Sequence, residues 1–119
     1  MRSVVIQGEI SAGDLGGLIT GAGADLQASA AYAFGSTRVA IFVGKKFFFR
    51  SNDYLGVLVV AASDGSTQRV DMSYAGGGSG LLGVQLGAGA NIENSLFEGL
   101  AGLAQSRNPT FQDVTTAPP

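Results

Sequence analysis

The chain reads as an α+β domain: a single antiparallel, twisted sheet of about five or six strands with two helices packed on one face, in the order β-α-β-β-β-β-(β)-α. Three observations point there. Residues 30–75 carry apolar side chains at a period of two, punctuated by turn dipeptides. One apolar stripe at helical spacing precedes that run, and a second follows it. Consecutive strands flanked by two amphipathic helices bury their apolar surface most economically as a sheet covered on one side.

Residues 3–9 form the first expected strand, β-branched at Val4, Val5 and Ile6. Ser11 can cap a helix start, and Asp14 favours its positive end. Leu15, Leu18, Ile19, Ala22 and Leu26 then share one helical face, although glycine stands at 13, 16, 17, 21 and 23. Each interior glycine costs about 1 kcal/mol against alanine, so this helix needs tertiary packing. Residues 32–34 are a short strand before a turn at Gly35, Ser36 and Thr37. Residues 38–43 are the next strand. Gly44-Lys45 has the glycine-first signature of a type II′ hairpin, and residues 46–50 continue beyond it. After a turn at Asn52-Asp53, residues 54–62 are apolar at almost every position, which predicts cover on both faces. Asp64-Gly65 signals a tight turn. Residues 67–74 alternate, with Val70, Met72 and Tyr74 on one side. Leu82, Val84 and Leu86 alternate with Gly83 and Gln85, the optional extra strand. Asn91 can cap the second helix, whose stripe is Ile92, Leu96, Leu100 and Leu103. The folded domain is expected over residues 1–105, with residues 106–119 an irregular or disordered tail holding Pro109, Pro118 and Pro119.

Composition narrows the function. The 119 residues include no histidine and no cysteine, 45% hydrophobic and 13% charged residues, and a net charge of −2. Histidine is the usual general base near neutrality, and cysteine the strongest side-chain nucleophile. Their absence removes the common catalytic and metal-binding constellations. The carboxylates show no paired or metal-ligand spacing, and no G-x-S-x-G elbow occurs. No catalytic residue, cofactor or metal is therefore expected, and the protein reads as a non-enzyme. Soluble proteins carry about 25% charged residues, so this poorly charged surface is expected to be covered in part by another chain. No secretory leader pattern is present, and the longest apolar run, residues 54–62, is about half a membrane span. A soluble, cytoplasmic protein with neither a membrane nor a nucleic-acid partner is expected.

Nineteen glycines are the other compositional signal. Gly78-Ser79-Gly80-Leu81-Leu82-Gly83 matches the dinucleotide fingerprint by letter, but strand-like residues follow where that fingerprint needs a helix. Gly76, Gly77, Gly78, Ser79 and Gly80 remain a candidate anion loop, since successive backbone N–H groups can form an anion nest. Lys45 and Lys46 lack the spacing of a phosphate-binding loop and read as a solvated hairpin tip. Phe47, Phe48 and Phe49 beside Lys46 and Arg50 mix aromatic and basic residues, but no wider basic patch accompanies them.

Residues 47–103 resemble a bacterial family of small α+β proteins known only as a domain of unknown function. The likeness lies in the order of parts. An aromatic strand at Phe47, Phe48, Phe49 and Arg50 leads to the apolar strand 54–62. A strand ending in Tyr74, Ala75 and the glycine run follows, and then a helix carrying Asn94, Phe97 and Leu100. The resemblance implies the architecture and no activity.

The leading expectation is thus a self-associating or protein-interaction module, a homo-oligomer with Phe42, Phe48, Val57 and Val59 at its interface. The alternative is a carrier for a small apolar ligand held between sheet and C-terminal helix, with Tyr32, Tyr54 or Tyr74 as polar handles. Anion or nucleotide binding by the glycine loop is the third.

Overall fold

The computed structural model describes residues 1–48, 53–75, 82–107 and 110–113. In chain order they form β1 (Arg2–Gln7), α1 (Ala12–Gly21), β2 (Asp25–Phe34), β3 (Thr37–Phe48), β4 (Asp53–Ser63), β5 (Thr67–Ala75), α2 (Leu82–Arg107) and β6 (Thr110–Asp113). The strands make one sheet in the order β2-β3-β4-β5-β1-β6, with every neighbouring pair antiparallel. The α+β class holds, with both helices on one face: α1 lies over β2, β3 and β4, and α2 over β4, β5, β1 and β6.

Register builds the core. Phe42, Val59 and Met72 stand side by side across β3, β4 and β5. Ala40, Ala61, Val70 and Val4 make the next row. Leu15, Leu18 and Ile19 of α1 and Ile92, Leu96 and Leu100 of α2 close over these rows. Burying one such side chain contributes about 1.5–3 kcal/mol, enough in total to hold a helix whose glycines disfavour it.

The first helix starts as the sequence indicates. Ser11 is its N-cap, with its Oγ accepting from the Asp14 N–H at 3.3 Å. It stops earlier than its apolar stripe suggests, at Gly21, because Gly23 at φ +82° turns the chain and sends Leu26 into β2. Lys46 Nζ donates to the Ala22 carbonyl at 3.1 Å, placing a cation at the negative helix end.

Several expected elements change. No hairpin forms at Gly44-Lys45, because β3 runs straight through to Phe48. The glycine serves packing instead. A Cβ at Gly44 would lie 2.5 Å from Ile19 Cγ2 and 3.0 Å from the Asp25 carbonyl oxygen. Its missing side chain lets α1 settle on the sheet. Strand β2 begins at Asp25 rather than near Tyr32, since its alanine-rich half has little strand propensity of its own and is held by pairing with β3. Residues 82–86 belong to α2 and not to an extra strand; Leu82 and Leu86 also stand four apart, so five residues fit either period. Asn91 is accordingly inside that helix rather than its cap. The expected irregular tail contributes β6, which pairs with β1 through Val4↔Asp113 to Gln7↔Thr110. Backbone pairing supplies there what no hydrophobic pattern announces.

Candidate interaction surface

Strand alternation sends one set of side chains into the core and the other to the open face of the sheet. That open face divides into two unlike halves. Over β5 and β1 it is mostly polar, Val5 apart. Ser3 Oγ donates to Asp71 Oδ1 at 2.5 Å, Arg69 Nε contacts both oxygens of Asp71 at 3.2 and 3.3 Å, and Thr67 Oγ1 donates to Gln7 Oε1 at 3.3 Å. Over β2, β3 and β4 it is apolar. Tyr32 is 53% exposed, Phe34 73%, Tyr54 47% and Phe47 36%, with Val43 and Leu58 also open. The Phe47 and Tyr54 rings lie 5.0 Å apart at 59°, and Lys45 Nζ stands 4.5 Å from the Tyr54 ring centroid. A tilted ring pair and a cation over the ring fix this corner without covering it.

The sheet's two edges differ as well. At one end is β6, four residues long. At the other is β2, ten residues long and exposed at every position, including those on the helix side. Among the described residues no strand lies beyond β2. Proteins usually blunt a long edge with lysine, proline or brevity. Strand β2 has none of these, and its one charge, Asp25, stands at its first residue.

Three of the four expected interface residues fall elsewhere. Phe42, Val57 and Val59 are buried in the core beneath the helices, not on the open face. Alternation alone leaves the two faces of residues 38–62 nearly equivalent, since both are apolar. The face was settled by α1, which seats against Gly44 and so turns Phe42 and Val57 inward. The side chain of Phe48 lies outside the described residues, as do Arg50 and the candidate anion loop Gly76, Gly77, Gly78, Ser79 and Gly80. Lys45 and Lys46 form no tip; successive residues of β3, they point to opposite faces.

A cavity of about 390 Å³ lies where β2 runs out past α1. Ile10, Leu15, Ala31, Ala40 and Ala61 wall it, and Glu9, Arg38, Ser63 and Gln68 ring its polar side. Arg38 Nη2 pairs with Glu9 Oε2 at 2.5 Å, and Ser63 Oγ donates to the same oxygen. Gln68, buried, holds the chain between β1 and α1: its Oε1 accepts from the Ile10 N–H at 2.9 Å and its Nε2 donates to the Ile10 carbonyl at 3.1 Å. Glu9 and Gln68 carry no sequence signal that would mark them, because their partners are 29 to 58 residues away. Of the three tyrosines, Tyr32 borders this cavity from β2 but by register belongs with Tyr54 to the open face, and Tyr74 packs partly buried against the core.

Among the described residues, no group of three acidic side chains converges as a metal site. No helix among them is long and apolar enough to cross a membrane. Compared with protein-family models, curated proteins and solved structures, the chain matches none.

Proposed function

We propose that this protein is a non-enzymatic module that self-associates through the β2–β3–β4 end of its sheet. The carrying observation is the apolar half of the open face, contiguous with a ten-residue edge strand that carries neither lysine nor proline. Its four exposed rings, at about 200 Å² each when whole, together offer on the order of 400 Å². That is half of the ~800 Å² each partner contributes to a standard interface. Low charge density supports the reading, because little electrostatic repulsion opposes contact between copies. Light scattering across a concentration series tests it. A mass that rises toward a dimer or larger assembly is expected, and a monomer at every concentration overturns it.

The cavity beside α1 favours a second reading, binding of a small apolar ligand. Its volume falls within the ~300–1,000 Å³ usual for small-molecule sites. An uncharged naphthylamine dye should brighten on binding there, and Ala40→Leu should abolish the signal. A dye response unchanged by that substitution would remove this reading.

A further inference from the structure

We infer that the partner is a second copy of this chain, joined edge to edge through β2 in antiparallel register about a two-fold axis at Ala31. This inference rests on the self-association proposed above. A bulge between Leu26 and Ala28 interrupts β2, and from Ala28 to Phe34 its pairing with β3 is regular. Ala31 is the centre of that seven-residue stretch.

A two-fold there sets Ala28 opposite Phe34 of the other copy, Ser29 opposite Ala33, and Ala30 opposite Tyr32. On the open face each exposed ring thus meets an alanine methyl, and no ring meets a ring. On the helix side Ser29, Ala31 and Ala33 are all small, so these side chains do not obstruct the approach. In an antiparallel ladder alternate residues direct both N–H and C=O to the same neighbour. One alternate set of β2 therefore faces the free edge, and this register pairs each set with itself. Seven residues span about 23 Å. That length, with two rings per copy, offers several hundred Å², below the ~800 Å² per partner of a standard interface. The expected dimer is accordingly concentration-dependent, with main-chain hydrogen bonds as its main specific element.

The chain contains no cysteine, so single substitutions give clean cross-linking reporters. Disulfides need Cα atoms about 4.4–6.8 Å apart. Ala31→Cys should cross-link to itself under mild oxidant. Ser29→Cys alone should not, because its counterpart lies four residues along, about 13 Å away. A mixture of Ser29→Cys and Ala33→Cys should cross-link. Charge provides an independent arm at Ala31, which is exposed in the single chain. Ala31→Lys and Ala31→Glu should each shift the mass toward monomer, since like charges would meet on the axis, and mixing the two should restore the dimer.

A dimer unaffected by Ala31→Lys, with no cross-link at 31, would overturn the edge register and leave self-association standing through another surface. A wild-type monomer at every concentration would overturn both. A monomer whose β2 edge instead takes up an extended peptide would likewise overturn a second copy as the occupant.

Discussion

The two ends of this sheet share a core and differ on their open faces and at their edges. At the β5–β1–β6 end the open face carries Arg69, Asp71, Thr67, Gln7 and Ser3, hydrogen-bonded to one another, and the edge is a four-residue strand. At the β2–β3–β4 end the open face carries Tyr32, Phe34, Val43, Tyr54 and Leu58, and the edge is a ten-residue strand without lysine or proline. One end is finished as a solvent surface. The other has the make-up of an interface: apolar, lightly charged and ready to extend its ladder. Alternation places residues on faces, but composition decides whether a face can stand alone in water.

The sharpest break of this comparison uses two leucines of β4 that point opposite ways. Leu55 is 1% exposed under the helices, and Leu58 is 37% exposed on the open face. Leu55→Ala should cost about 2–5 kcal/mol in denaturant unfolding. Leu58→Ala should stay within about 0.5 kcal/mol in the monomer. Equal costs would mean the two faces are not distinct. Next in size is Gly44→Ala, whose new methyl overlaps Ile19. Overpacking should cost about 1–3 kcal/mol. Ile19→Leu, which removes the crowding Cγ2, should recover part of that loss when combined with it. An unaltered midpoint for Gly44→Ala would show that α1 does not need this close approach.

Between the two ends, Gln68→Leu should cost about 1–3 kcal/mol, because Ile10 loses partners for both its N–H and its carbonyl in a buried place. Faster amide exchange at Ile10 would report the same loss. On the finished half, Arg69→Ala should move stability by less than about 0.5 kcal/mol, since its pair with Asp71 is half exposed.

The smallest effect concerns the β4–β5 turn. Asp64 accepts from the Thr67 and Ser66 backbone N–H groups and from the Ser66 hydroxyl, and these bonds hold its carboxyl below the ordinary aspartate value. A lowered folded pKa contributes stability above the unfolded value and loses it as pH falls through the folded one. Asp64→Asn should therefore flatten a slight decline in stability below the usual aspartate range. An unchanged acid limb would show that the turn does not depend on the charge.

The open apolar half could be anticipated as surplus in the composition but not located in it. Residues 38–62 are apolar at both parities, so Val57 and Val59 were as eligible for the open face as Leu58 and Tyr54. Gly44 looked like a turn because glycine before lysine is a hairpin pattern, whereas its missing side chain accommodates Ile19, 25 positions earlier. The cavity's polar ring joins Glu9, Arg38, Ser63 and Gln68 from four separate segments.

From the sequence alone come the α+β class, the two helical stripes, the Ser11 cap, the Asp64-Gly65 turn and the alternation of residues 67–74. All are local: they depend on spacing within a few residues and on the conformations that glycine, aspartate and serine favour. Only the tertiary structure decided which face of β3 and β4 is buried, that residues 82–86 join a helix, and that residues 110–113 form an edge strand. Each of these depends on a partner far along the chain, and burial and backbone pairing with that partner outweigh a local preference worth a few tenths of a kcal/mol per residue.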